Sequence, residues 1–133
     1  RPRLAPGRGG GRRGTGNWRV RRGIRLTGRD RARPSAANKR RPAVIVSNDR
    51  ANATAARLGR GVVTVVPVTS TVARVFPFQV LIQADEAGLR VDSKAQAEQV
   101  RSVSVERLGP VLGHVPTHLM TQLDDALRLH LQL

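Results

Sequence analysis

The stretch RRPAVIVSNDRANATAARLGRGVVTVVPVTS, residues 40–70, decides the fold. It contains two runs rich in Val and Ile, at Ala43–Ser47 and Gly61–Ser70. β-Branched side chains are restricted at χ1 and suit a pleated surface, so both runs are predicted to be strands. Pro67 lies inside the second run and indicates an edge position or a local break, because proline cannot donate to a ladder of hydrogen bonds.

Weaker patterns on either side predict further elements. Ile24 and Leu26 alternate as a short first strand, and residues 51–58 form a helical turn or a loop. Four later segments have the composition of short strands: Phe78–Ile82, Ser93–Ala97, Val100–Ser104 and Val111–Val115.

Residues 117–131 repeat apolar side chains at spacings of three and four, which predicts a helix with one apolar face. Within this helix Arg128 is placed to pair with Asp124 or Asp125. Many short strands followed by one long helix indicate a mostly β member of the α+β class. We expect an antiparallel barrel with the helix packed on it.

The chain of 133 residues is long enough for one domain with a modest core. It has no cysteine, which excludes disulfides and thiolate metal sites. No apolar run approaches the roughly 20 residues that span a membrane. The basic N-terminus also lacks the apolar segment of a secretory signal. We therefore expect a cytoplasmic protein that neither spans nor binds a membrane.

The positive charge is concentrated near the N-terminus. Residues 1–41 contain fifteen Arg or Lys and one acid, whereas residues 42–133 contain nine and eight, so the second part is nearly neutral. Residues 1–19 are rich in Gly, Arg and Pro and cannot bury enough apolar surface to fold, so we expect a disordered basic tail. Such a tail attracts polyanions without defining a site.

One pair of residues in the two Val-rich runs is suited to phosphate chemistry. Arg41 precedes the first run and Thr69 closes the second, so the two meet at one rim of the sheet if the strands pair. A guanidinium beside a hydroxyl can bind a phosphate group. The alternative is a solvated charge at a strand edge beside an ordinary turn residue.

Other catalytic sets are weaker. His114 and His118 flank a strand-to-helix junction and could serve as base and acid in a two-histidine ribonuclease, although exposed histidines at a turn are the ordinary explanation. The carboxylates at 85–86 and 124–125 are adjacent pairs, and such pairs do not form a metal constellation. No glycine-rich phosphate loop with its lysine is present, and the GxGxxG match at Gly9, Gly11 and Gly14 lacks the preceding strand and following helix of a dinucleotide site. We expect no metal and no cofactor.

Four motifs and the terminal helix together carry a family resemblance. The motifs RRPAVIVSND, VVTVVPVTS, FPFQVLI and EQVRSV precede the helix in an order and spacing that resemble the MazF/PemK (Kid) family of toxin endoribonucleases. The resemblance runs from about Asn38 to the C-terminus and implies a toxin domain at residues 20–133 with an SH3-like barrel of the type shared with CcdB. Residues 20–37 diverge, because no aromatic follows Gly23 and Ser35-Ala36 stands where Ser-Glu is expected.

The resemblance also implies a site. Arg41 and Thr69 match the catalytic arginine and threonine of the family, and Gln99 lies where the family presents a polar residue to RNA. Pairing of Glu98 with Arg101 is the alternative for that segment. The residues expected to contact substrate are Ser70, Arg74, Gln99 and Arg101.

The implied function is that of the toxin in a type II toxin–antitoxin pair. Such a toxin is a homodimer that cleaves single-stranded RNA at specific sequences, without a metal, leaving 2′,3′-cyclic phosphate and 5′-hydroxyl ends. Its antitoxin carries an acidic, disordered tail that fills the RNA groove. Three alternatives stay open: a CcdB-like gyrase poison without catalysis, a non-enzymatic RNA-binding protein that acts through its basic tail, and an inactive toxin that has decayed in residues 24–36.

Overall fold

The computed structural model describes residues 21–28 and 40–133. The tail predicted at residues 1–19 lies outside these ranges, as does most of the divergent segment, residues 29–37. The described strands are β1 Gly23–Thr27, β2 Arg41–Ile45, β3 Val62–Thr69, β4 Gln79–Ile82, β5 Ser93–Gln96, β6 Arg101–Ser104 and β7 Leu108–His114. The helices are α1 Asp49–Leu58, α2 Ala84–Ala87 and α3 Thr117–Leu131, with single 3₁₀ turns at Ala97–Gln99 and Val105–Arg107.

Every predicted strand is present, with ends shifted by a few residues, and α3 has the predicted bounds. The segment expected to be a helical turn or a loop is a full helix, α1. Asn48 caps it by accepting a hydrogen bond from the Ala51 N–H at 2.8 Å, and Gly59 ends it with φ of 67°. The connection at residues 83–92 was expected to be turns only, but it contains the short helix α2.

The strands form one antiparallel sheet in the order β4-β5-β3-β2-β1-β7, and β6 also pairs with β3. One edge of β3 pairs with β6 over Val62–Val65 and then with β5 at Val68 and Thr69. Pro67 lies at this change of partner, which is the local break that the sequence indicated. The predicted mostly β, antiparallel fold with a C-terminal helix is confirmed. The pairings among the described residues leave the sheet open rather than a closed barrel.

Apolar side chains cover both faces of the sheet. On one face, Ile24, Val44 and Val66 are buried against α3, whose buried stripe is Leu119, Met120, Leu123 and Ala126. On the other face, Ala43, Ile45, Val63 and Val65 pack with Ala55 of α1. Each large apolar side chain buried in this way contributes about 1.5–3 kcal/mol.

Polar contacts fix the two long helices to the sheet. The Arg21 guanidinium donates from Nε to the Val46 carbonyl at 2.7 Å and forms a two-pronged ion pair with Asp124 of α3. Because Asp124 is paired with Arg21, Arg128 pairs with Asp125, at 3.2 Å, which is one of the two partners predicted for it. The fully buried Asn52 of α1 donates to the Ser47 carbonyl at 2.9 Å and accepts from the Ser47 hydroxyl at 2.5 Å.

β7 also passes close to α2. A Cβ added at Gly113 would overlap the carbonyl oxygen of Ala87, so only glycine allows this approach. In the part of the chain that the structure describes, no helix is long and apolar enough to cross a membrane.

Candidate active site

Strand register brings four polar side chains into one row. The pairing of β2 with β3 ends at Ala43 opposite Pro67, and the same register extended by two residues would set Arg41 opposite Thr69. Thr27 of β1 is opposite Arg41, and Lys94 of β5 is opposite Thr69. Opposed residues of antiparallel strands project to the same face and are about 5 Å apart. These four residues, Thr27, Arg41, Thr69 and Lys94, are called the rim row below.

Arg41 and Thr69 of the rim row line a cleft of about 790 Å³, whereas Thr27 and Lys94 are not among its lining residues. Three arginines and three hydroxyl residues line it: Arg40, Arg41, Arg90, Thr69, Ser70 and Ser93. Its remaining walls are apolar or glycine: Pro42, Val68, Gly88, Leu89, Val91, Val111 and Leu112. No carboxylate is among these lining residues, so the field in the cleft is positive and attracts anions.

The two predicted catalytic side chains are available to a ligand. Arg41 is exposed, and its guanidinium has no hydrogen bond or ion pair with the described residues, while its carbonyl accepts from the Thr27 hydroxyl at 3.0 Å. The Thr69 Oγ1 atom accepts from the Thr71 N–H at 3.2 Å, which orients the hydroxyl and leaves its proton free to donate. A phosphate at the rim could therefore receive donors from both side chains.

The other residues predicted to contact substrate are dispersed. Ser70 lines the cleft, whereas Arg74, Gln99 and Arg101 do not. Arg74 lies in the loop after β3, and Gln99 is exposed in a 3₁₀ turn. Arg101 lines a second cavity of about 240 Å³ that also includes Thr27 of the rim row.

The alternative pairing of Glu98 with Arg101 is not formed among the described residues. Glu98 instead accepts a hydrogen bond from the buried Gln79 at 2.8 Å. Gln99 is thereby held beside the loop that precedes β4, with its own side chain exposed.

The two histidines lie away from the rim row. His114 is paired with Gly23, at the end of β1 opposite to Thr27. His118 is 3.1 Å from a carboxylate oxygen of Glu86. No three His, Asp or Glu side chains cluster as metal ligands within residues 21–28 and 40–133.

Two cationic residues near this face were not identified from the sequence. Arg90 lines the cleft from the turn that follows Gly88, and an isolated arginine in a turn gives no pattern to find it by. Arg25 is only 6% exposed and lies opposite Ala43, in the row next to the rim row. Burial lowers the pKa of Arg25, because removal from water disfavours the charged form.

The model of the PemK-like, MazF-like toxins of type II toxin–antitoxin systems matches residues 21–131. The chain belongs to this toxin family. The resemblance seen in the sequence is therefore confirmed, and it extends further towards the N-terminus than the motifs indicated.

Two relatives from Mycobacterium tuberculosis (strain ATCC 25618 / H37Rv) are similar in sequence. Endoribonuclease MazF9 is 64% identical over 104 residues, which cover 78% of this chain and 88% of that protein. Probable endoribonuclease MazF1 is 52% identical over 81 residues, which cover 59% and 86%. A solved mycobacterial endoribonuclease in complex with its cognate antitoxin aligns with a TM-score of 0.67 at 23% identity, covering 86% of this chain and 95% of that one. At that identity the structural match supports the fold alone.

Proposed function

We propose that this chain is an endoribonuclease toxin that cleaves single-stranded RNA at specific sequences. The observation that carries the proposal is the cleft beside Arg41 and Thr69, which three arginines line and no carboxylate does. The names of two relatives, both endoribonucleases, agree with it. Single-stranded RNA is the substrate class because its unstacked bases can be read by side chains, whereas the bases of an RNA duplex are hard to reach.

RNA supplies its own nucleophile for this reaction. The 2′-hydroxyl oxygen attacks the adjacent phosphorus and loses its proton, and the bond from phosphorus to the 5′-oxygen breaks as that oxygen gains a proton. The products are a 2′,3′-cyclic phosphate, which can hydrolyse to a 3′-phosphate, and a 5′-hydroxyl. The protein must stabilise the added negative charge on phosphorus and assist the two proton transfers.

Arg41 is suited to the first of these tasks. Its planar guanidinium can bind two phosphate oxygens at once, and none of the described residues that line the cleft is a carboxylate that would compete for the charge. Arginine stays protonated near neutral pH, which makes it a poor base, so its main contribution is electrostatic. Thr69 donates its hydroxyl proton to a non-bridging oxygen or accepts from the 2′-hydroxyl.

The same cleft is the proposed site for the antitoxin. A disordered acidic tail would place its carboxylates where RNA phosphates bind, because both are anions that pair with arginine. Val91 and Leu112 line the cleft and are 56% and 38% exposed, which provides apolar surface for a second copy or for the tail. We propose a homodimer with RNA bound across the two copies.

Side-chain substitutions test the catalytic assignment. With a long single-stranded RNA, Arg41→Ala should lower kcat by about 10²–10³, as expected for removal of a donor to developing charge. Thr69→Val keeps the shape without the hydroxyl and should lower kcat by about 10- to 100-fold. Arg60→Ala removes an exposed arginine outside the cleft and is the matched control. Undiminished cleavage by both cleft variants would reject the assignment.

A further inference from the structure

Two phenylalanines in the loop between β3 and β4 are arranged as a stacking surface. The rings of Phe76 and Phe78 are parallel to within 3°, with centroids 5.4 Å apart. The Arg74 guanidinium is 5.6 Å from the Phe76 centroid, and Phe76 is 39% exposed. We call Arg74, Phe76 and Phe78 the aromatic platform. Phenylalanine is scarce in this chain, with two in 133 residues, and both are in the platform.

Lys94 connects the platform to the rim row. It is opposite Thr69 across the sheet, and its buried side chain extends to the loop, where Nζ donates to the Arg74 carbonyl at 2.6 Å. The same Nζ is 5.9 Å from the Phe76 centroid. Thr69 and the platform are therefore linked through one strand spacing of about 5 Å and one lysine side chain, a separation of the order that one or two nucleotides can bridge.

Hydrogen bonds fix the platform before any ligand arrives. The buried Gln79 accepts from the Phe76 N–H at 3.1 Å and donates to Glu98 at 2.8 Å. The Phe78 carbonyl accepts from the Ala97 N–H at 3.2 Å. A surface that is ordered in advance loses little entropy on binding. The Gln79–Glu98 bond also holds the exposed Gln99 next to this loop, where an amide could contact a base edge.

We propose that the aromatic platform stacks a nucleobase of single-stranded RNA, one or two nucleotides from the phosphate held at the rim row. This inference rests on the proposed function and specifies where the strand lies. Aromatic rings and arginine planes are the surfaces on which proteins stack unpaired bases, and a neighbouring cation attracts the phosphate that follows. The phosphate at Arg41 and Thr69 and the base at Phe76 then fix the line along which the strand crosses the sheet.

Binding, measured without cleavage, tests the platform separately from catalysis. The probe is a fluorescent single-stranded RNA of mixed sequence, about ten nucleotides long, within the usual site size of such grooves. Its sugars carry 2′-fluoro groups, so no 2′-hydroxyl can attack. A second probe has the same backbone with every base removed. Loss of one stacked base should weaken binding about 5- to 150-fold, so wild-type protein should bind the base-containing probe at least about 5-fold more tightly than the abasic probe.

Variants at position 76 test whether Phe76 produces the preference for the base-containing probe. Phe76→Leu keeps an apolar side chain but removes the ring, and it should lower affinity for the base-containing probe about 5-fold or more while leaving the abasic probe unchanged. Phe76→Trp should restore the affinity. Val75→Ala removes a neighbouring side chain of equal exposure, 39%, and should change neither value.

The proposal would be overturned if Phe76→Leu lost affinity equally for both probes, or if its affinity for the base-containing probe were unchanged. Neither result depends on whether wild-type protein cleaves RNA. An inactive protein with an intact preference for bases would reject the proposed catalysis and leave the platform in place.

Discussion

Replacement of Arg25 by methionine should stabilise the fold. Arg25 is 6% exposed in β1, and among the described residues no carboxylate pairs with it. Its Nε donates to the Gly109 carbonyl at 2.6 Å, but its buried Nη1 has no hydrogen-bond partner within residues 21–28 and 40–133. Burial lowers the pKa of Arg25, because removal from water disfavours the charged form.

The magnitude follows from the opposing contributions. Arg25→Met gives up one hydrogen bond from a charged donor, about 1.5–3 kcal/mol. It also removes an unsatisfied donor, about 1–3 kcal/mol, and the desolvation cost of a buried ion, which is several kcal/mol. Methionine retains the apolar stem and adapts to irregular gaps. The net gain expected is about 1–3 kcal/mol, or roughly 4 °C in Tm for each kcal/mol at this chain length.

Urea denaturation followed by far-UV circular dichroism measures the change. The midpoint should rise in Arg25→Met with an unchanged slope, and Arg57→Met, at an exposed position on α1, should stay within about 0.5 kcal/mol of wild type. Because arginine remains protonated near neutrality, the gain should be the same across the neutral range. A lower midpoint for Arg25→Met would mean that the bond to Gly109 outweighs desolvation, and the reasoning would be refuted.

Three further substitutions test the packing of the fold. Asn52→Ala should lower the free energy of unfolding by about 1–3 kcal/mol, measured by the same urea titration, because it leaves the partly buried Ser47 carbonyl and hydroxyl proton without their Asn52 partners. A loss below about 0.5 kcal/mol would contradict this. Gly113→Ala should lower Tm in a thermal melt by several degrees, since its Cβ overlaps the Ala87 carbonyl, and an unchanged Tm would mean that α2 moves freely. Asp124→Asn should lower the free energy of unfolding by about 0.5–1 kcal/mol at low salt and by less in molar salt, because the ion pair with Arg21 is about a third exposed. A loss that does not depend on salt would argue against an ionic contribution.

Local patterns account for most of the fold that the sequence predicted. The β3 run is nearly continuous in Val because both faces of that strand are covered, and α3 repeats its apolar residues with the period of a helix. Such patterns depend on neighbours a few residues apart, so they can be read without knowledge of the tertiary structure. The segment before β3 was predicted as a loop or a helical turn but is a full helix. Its stability depends on the cap at Asn48 and on the hydrogen bonds between Asn52 and Ser47, which the apolar pattern does not show.

The site was predicted only where a motif identified it. Arg41 and Thr69 were placed at one rim by the expectation that their strands pair, and the register supports this. Lys94 completes the row because β3 pairs with β5 beyond Pro67. The proline indicated a break in the strand, but no local pattern identifies the strand that pairs there. The chemistry and the substrate contacts assigned to these residues remain predictions.

The end groups of the cleaved RNA test the central proposal most directly. A single-stranded RNA should be incubated with the wild-type protein in EDTA, beside the same RNA with a 2′-deoxy sugar at a mapped cleavage position. We expect fragments with 5′-hydroxyl and 2′,3′-cyclic phosphate ends from the first RNA and no cut at the modified position in the second. Cleavage at the deoxy position, or fragments with 5′-phosphate ends, would show that water rather than the 2′-hydroxyl attacks, and would contradict the role proposed for Arg41 and Thr69.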